Sequence, residues 1–381
     1  AENKPYDQFV HELLTANGST YDNPAANYYR VSREYPEAVE NTTQLFLGVR
    51  FSCNKCHDHP FEKWTQNQYY ELGAFFADVS IKPGRQPGEE IVYTNYTPQD
   101  VTHPKTLEAV APSVPYGTAD DAASLREAMA DWVTSADNPQ FARSAVNRLW
   151  SYFMGIGIID PVDDIRSSNP PSNPALLDAL TEDFVASGFD MRHVMRVIAR
   201  SRTYQQSIKT NRWNDDDTIN FSHATAKRLT AEQLLDAISV ATGSRPAFKG
   251  VPKTFRAAQL PDSRVQDDGF LRLFGRPERE SVCECERTSD VSLAHAMNLI
   301  NGPTVANALI DPKGRIAELV VDDPSDRALT DELYLAALSR LPSEGEAATA
   351  VTHLEASESK AEGAQDLMWA LINSPAFLFN R

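Results

Sequence analysis

Phe51-Ser52-Cys53-Asn54-Lys55-Cys56-His57-Asp58-His59-Pro60-Phe61-Glu62-Lys63-Trp64-Thr65-Gln66 joins two helical patterns, one from about Pro36 to Arg50 and one from about Gln66 to Ala77. In the second, Tyr69, Tyr70, Gly73 and Phe76 recur at the three- and four-residue intervals of one helix face. A similar repeat at Tyr6, Phe9, Val10, Leu13 and Leu14, stopped by Gly18, predicts a helix ahead of both. Cys53, Cys56 and His57 form C-x-x-C-H, the attachment pattern of haem c. Two thiols one turn apart can add to the vinyl groups along one porphyrin edge, and the adjacent imidazole then reaches the iron from the same side. The same residues are open to two other chemistries. With His57 or His59 and the distant Cys283 and Cys285 they make a zinc ligand set, and alone they are a redox disulfide or a pair of inert thiols. Thioredoxin-like chemistry ranks last, since the flanking βαβ pattern is missing.

Outward from this stretch, periodicity fades between Ile81 and Thr118, where Pro83, Pro87, Pro98, Pro104, Pro112 and Pro115 recur. That composition predicts an extended connector with one short strand at Glu90 to Asn95. Helical signals then follow in succession. Asp121, Asn138-Pro139 and Asn173-Pro174 each open an apolar repeat, Thr230-Ala231-Glu232-Gln233 is a capping box, and further repeats run at about 290–300, 326–340 and 363–373. The expectation is a mainly α chain: a helical first domain, 1–115, bearing the C-x-x-C-H loop, and a larger all-α domain, 120–381. The stretch 245–277 is expected to join two lobes of the latter.

Composition narrows the function. The 381 residues carry 36 Lys and Arg against 53 Asp and Glu, a net charge of −17 with no long basic run, which excludes a general nucleic-acid binder. No apolar run approaches the roughly 18 residues of a membrane helix. The first residues, Ala1-Glu2-Asn3-Lys4-Pro5, carry neither an initiator Met nor the charged and apolar regions of a leader, so a leader was removed or the chain was cut from something longer. Four cysteines in two tight pairs, Cys53/Cys56 and Cys283/Cys285, point to ligand chemistry more than to loop stapling.

A haem iron held by His57 has a second axial position. Met154, beside a helix end, His103 in the connector, and His295 and Met297 are candidates for it, as is a position left open or taken by water. Met/His ligation suits electron transfer and an open site permits small-molecule chemistry. Asp160-Pro161-Val162-Asp163-Asp164-Ile165-Arg166 concentrates carboxylates that could hold Ca²⁺ or sugar hydroxyls, although acidic loops more often pair with neighbouring arginines. The common nucleotide, esterase and zincin motifs are absent.

Several segments together resemble a known pair of domains. The run from Phe46 to Gln66 is similar to the core of the planctomycete cytochrome-associated domain of unknown function. Phe141 to Trp150, Asp160 to Asp164, Ser201 to Gln205 and Cys283 to Arg287 resemble the planctomycete-type C-terminal domain that usually follows it. The resemblance implies a secreted or cell-envelope multidomain protein, periplasmic or at the cell surface, with further sequence before Asn3. It also implies cytochrome c-like or carbohydrate-associated modules upstream. The expected partners are a redox protein or such a cytochrome module, with carbohydrate as a further one. The matching site residues are Cys53, Cys56 and His57, and less securely Cys283 and Cys285. The leading reading is an exported haem c protein that moves electrons. Its rivals are a non-redox scaffold with a Cys/His zinc site and an enzyme acting on polysaccharide.

Overall fold

The computed structural model describes residues 2–119, 122–260, 265, 269–278 and 292–380. They are mainly helical and divide into two compact units, one ending at Thr225 and the other beginning at Ala226. In the first unit α1 (Tyr6–Leu14) leads through β1 (Gly18–Ser19) and α2 (Tyr28–Val31) into α3 (Tyr35–Thr42). The chain then widens into a π-helical turn, Thr43–Leu47, closed by Gly48 at φ +67°, so the helix expected to reach Arg50 stops at this glycine. After the C-x-x-C-H loop, α4 (Gln66–Ala74) is opened by a capping box in which Thr65 accepts from the Gln68 amide and Gln68 accepts from that of Thr65. β2 (Val79–Pro83) and β3 (Glu90–Thr94) then complete a small antiparallel sheet of order β1-β3-β2. β2 was not anticipated, because half-exposed positions on both faces blur its alternation.

The larger helices of this unit are α5 (Leu125–Thr134), α6 (Phe141–Met154), α7 (Pro174–Ala186) and α8 (Met191–Arg200). Ser124, Asn173 and Asp190 cap α5, α7 and α8 through backbone amides three residues on. In α8, Val194 and Ile198 are buried and Met191 and Met195 pack against the same core, an apolar stripe at helical spacing that was not singled out in the sequence. The expected break near 115–120 is not a break in packing. Tyr6 of α1 stacks on Phe141 of α6 at 5.2 Å and meets Phe184 of α7 at 6.3 Å. Arg126 of α5, 2% exposed, donates to the Ala16 carbonyl at 2.7 Å, Asn17 Oδ1 at 2.6 Å and Thr94 Oγ1 at 2.8 Å. The proline-rich connector is itself fixed. Tyr116 packs between Trp64 and Trp132, its carbonyl accepts from the Trp132 indole at 2.9 Å, and its hydroxyl donates to Asn138. Residues on both sides of the expected boundary thus bury one continuous core. Prolines set the backbone of this connector, but aromatic anchors decide where it lies.

The second unit pairs β4 (Lys227–Arg228) with β5 (Phe379–Asn380) and is otherwise helical. In order come α9 (Ala231–Thr242), α10 (Phe270–Leu273), α11 (Leu293–Asn301), α12 (Pro303–Leu309) and α13 (Arg315–Val321). They are followed by α14 (Asp326–Leu338), α15 (Glu344–Ala356), α16 (Lys360–Ile372) and α17 (Pro375–Leu378). The Thr230/Gln233 capping box opens α9 as expected, and Gly243 at φ +71° closes it. The stretch 245–277 does not join two lobes. Phe248, Ala257, Leu260 and Phe270 from it lie in the same core as Leu235, Leu333 and Met368.

Candidate functional site

The C-x-x-C-H residues sit on a single turn of 3₁₀ helix, Ser52–Lys55, and the residue that follows it. The Cys56 amide donates to the Cys53 carbonyl at 3.3 Å, which places both thiols on one short turn, free and exposed. What turns them outward is Asn54 between them. Its side chain is fully buried and donates to the Trp64 carbonyl at 2.7 Å. The Lys55 carbonyl accepts from Gln66 Nε2 at 3.0 Å and from the Tyr70 hydroxyl at 2.9 Å, while Asp58 Oδ1 accepts from the Gln66 amide at 2.7 Å. Burial pushes the Tyr70 phenol above its ordinary pKa, and the neighbouring Tyr35 and Cys56 add to the rise. Glu62 ties down the far side of the loop by accepting from the Ser167 and Ser168 amides and the Ser168 hydroxyl. Burial alone would raise the Glu62 carboxyl, but these Ser168 and Ser167 bonds outweigh it and the net shift is downward.

His57 is exposed, and its Nδ1 lies 2.7 Å from the Asp58 carbonyl. A carbonyl has no hydrogen to give, so Nδ1 is the donor, and in the neutral ring the lone pair is then on Nε2. That is the tautomer a metal-binding imidazole needs, held by the kind of backbone bond that orients such ligands. His59 differs. Its Nδ1 accepts from the Phe61 amide at 3.2 Å, which leaves the proton on Nε2. His103 is buried edge-on against Tyr70, and its Nδ1 accepts from the Lys105 and Thr106 amides. Met154 ends α6 inside the core at 9% exposure. His295, in the second unit, has Nε2 on the Leu273 carbonyl and Nδ1 accepting from the Ser292 amide, and Met297 of the same helix is half-exposed. Cys283 and Cys285 lie outside the described residues. Among the described residues no three His, Cys, Asp or Glu side chains come together as a metal group.

The acidic loop is paired rather than open. Asp163 is buried and accepts from Arg50 at 2.5 Å and Gln44 at 2.6 Å, and Asp164 pairs with Arg166 at 3.3 Å. The Ile165 amide donates to the Gly48 carbonyl at 2.7 Å, so this loop backs the π-helical turn just ahead of the cysteines. Trp64, Tyr69, Tyr70, Phe75 and Phe76 are all buried as core beneath the site. Asn54, Asp58, Glu62 and Gln66 were not singled out in the sequence. They are polar residues in a polar loop, and only their partners distinguish them.

The family model PSD1, described as a protein of unknown function (DUF1553), matches residues 125–354. The chain belongs to the PSD1 family. Ahead of that match, residues 1–81 fit PSCyt2, also a protein of unknown function (DUF1549), so the cytochrome-associated N-terminal and C-terminal domains stand in the expected order. No curated protein and no solved structure matches the chain. The PSCyt2 segment carries the whole C-x-x-C-H loop. The PSD1 segment begins at α5 and supplies the Ser167 and Ser168 groups that hold Glu62, so the loop's fixation draws on both. Among the described residues no helix is long and apolar enough to cross a membrane.

Proposed function

We propose that this PSD1 protein is an exported c-type haem protein, attached through Cys53 and Cys56 with His57 as the axial ligand, and that it works in electron transfer or related redox chemistry in the periplasm or at the cell surface. The observation that carries the reading is the placement of His57 beside two free thiols on the same turn, with Nδ1 2.7 Å from the Asp58 carbonyl, so that the neutral ring offers its lone pair at Nε2. The residues present fit the group. Each thiol adds its sulfur and its hydrogen across one vinyl double bond, so two thioethers form without an oxidant. Bound there, haem supplies a one-electron couple. The chain's contribution is positional. Asn54 keeps the thiols outward, the Asp58 carbonyl keeps His57 in the ligating tautomer, and Glu62 and Gln66 keep the loop from folding over them.

The test is the alkaline pyridine spectrum of chain produced with a haem c maturation system, with metal analysis of the same sample. One covalent haem per chain is expected, lost on acid and organic extraction from Cys53→Ala/Cys56→Ala protein. A colourless wild-type chain holding stoichiometric zinc would overturn the reading.

A further inference from the structure

Between α14, α15, α16 and α17 of the second unit lies a cavity of about 870 Å³, floored by Leu338, Ala350, Leu367, Ala370 and Leu371. That volume belongs to small-molecule sites and far exceeds the voids of ordinary packing. We propose that the cavity binds an elongated apolar amine, with a protonated nitrogen at one end and a hydroxyl at the other; the proposal does not depend on the haem reading. Glu346, Ala350 and His353 recur at helical spacing on α15 and all line the cavity, so one face of that helix runs along it. The rise from Glu346 to His353 sets a length of about 10 Å. At the Glu346 end stands Tyr334, 7% exposed, with the Arg340 guanidinium 5.5 Å from its ring. Burial raises the Tyr334 phenol and the Glu346 charge adds to the rise, so the hydroxyl keeps its proton. Among the described residues that hydroxyl has no hydrogen-bond partner. Buried polar groups are ordinarily paired, and a phenol with only the cavity before it marks where a ligand oxygen belongs.

The other polar groups of the wall are committed. The Trp369 indole donates to the Ile300 carbonyl at 3.2 Å, Thr349 to the Gly345 carbonyl at 3.0 Å and Ser374 to the Leu371 carbonyl at 2.6 Å. Arg340 gives both terminal nitrogens to Glu346, at 2.9 and 2.7 Å, and one of them also to the Leu341 carbonyl, so it is not free to receive an anion. Arg340 and the Ser343 amide hold the Glu346 carboxyl down to about 2, which keeps it charged. At the His353 end Asp366 is exposed, and His353 Nε2 lies 3.4 Å from it, beyond a good hydrogen bond. A ligand carboxylate would therefore meet Glu346 at one end and Asp366 at the other. An ammonium finds an accepting carboxylate in Asp366 and, one turn along α16, the indole of Trp369, whose ring face attracts cations.

The experiment is isothermal titration calorimetry of the full chain with para-hydroxyphenylbutylamine, the alcohol and the carboxylate of the same body, and phenylbutylamine, which lacks the hydroxyl. One saturable site per chain is expected, about tenfold tighter for the amine than for the alcohol and closed to the carboxylate. Asp366→Asn should erase the advantage of amine over alcohol. Tyr334→Phe should weaken para-hydroxyphenylbutylamine about fivefold and leave phenylbutylamine unchanged, a pattern that mere loosening of the fold does not produce. Ala370→Phe, at an exposed position on the floor, should abolish binding without moving the urea midpoint. No saturable heat from any probe overturns the proposal, as does a carboxylate bound as tightly as the amine. Binding that survives all three substitutions places the amine elsewhere and overturns it too.

Discussion

Arg126 shows how much one side chain can hold. It is buried, its nearest carboxylate is Asp78 at 3.9 Å, and its ring neighbour is Tyr29 at 5.5 Å. Removing one partner of a buried pair leaves the other charge uncompensated, at a cost of about 3 kcal/mol or more. Arg126→Met is therefore expected to lower the urea midpoint by an amount of that order, and Asp78→Asn placed in the same chain to recover part of it. Burial raises the Asp78 carboxyl above 3.8 although Arg126 pulls it down. A raised acid contributes stability that is fully present below its unfolded value and lost as pH climbs through its folded one. Wild-type protein should thus lose stability relative to Asp78→Asn as pH rises from about 3.8, and parallel urea curves at several pH values would refute this. Such roles are hidden in sequence, where Arg126 is one more charge on an amphipathic helix and Asp78 one more loop acid.

At the scale of elements, the site depends on how its flanking turns end. Gly48 closes the π-helical turn in the left-handed region, and a Cβ there would lie 2.7 Å from Ile165 Cδ1 and 3.1 Å from Ser144 Oγ. Gly48→Ala is expected to cost about 2 kcal/mol, from strained backbone and overlap together. A thermal midpoint unchanged from wild type would contradict that. At the other flank, Thr65→Ala removes the cap of α4 and should cost about 1 kcal/mol. It should also speed alkylation of Cys56 in the haem-free chain, because Gln66 and Tyr70 hold the Lys55 carbonyl from that helix. Elements were legible where local chemistry specifies them. Tyr6–Leu14, the Thr230/Gln233 box and the strand Glu90–Thr94 follow from spacing and caps alone. α12, α13 and α15 were not read from the sequence, and neither was α8, although Asp190 caps it and Met191, Val194, Met195 and Ile198 recur at helical spacing. The C-x-x-C-H pattern was legible for the same local reason, whereas its polar supports come from residues up to 106 positions away.

For the whole molecule, the proline-rich connector read from composition lies between the two family matches, 1–81 and 125–354, and the core packs across it. Proline enrichment marks 81–118 as a connector, yet nothing in composition reveals that Tyr116 lies between two tryptophans or that α1 packs on α5 and α6. A chain ending near residue 115 should accordingly lack a cooperative unfolding transition, and one ending at Thr225 should show a single one, by circular dichroism against urea. Cooperative unfolding of the shorter piece would mean that the shared core is dispensable. The second unit, with its own core from α9 to α17, is expected to melt independently of substitutions at Arg126 or Gly48.

The bond between Glu62 and the Ser167–Ser168 turn also sets an order of events in time. A chain made from its N-terminus exposes Cys53, Cys56 and His57 long before residue 168 exists. Any machinery that modifies those thiols as they emerge meets a loop anchored on one side only, and the second anchor arrives more than a hundred residues later to lock whatever has by then been attached.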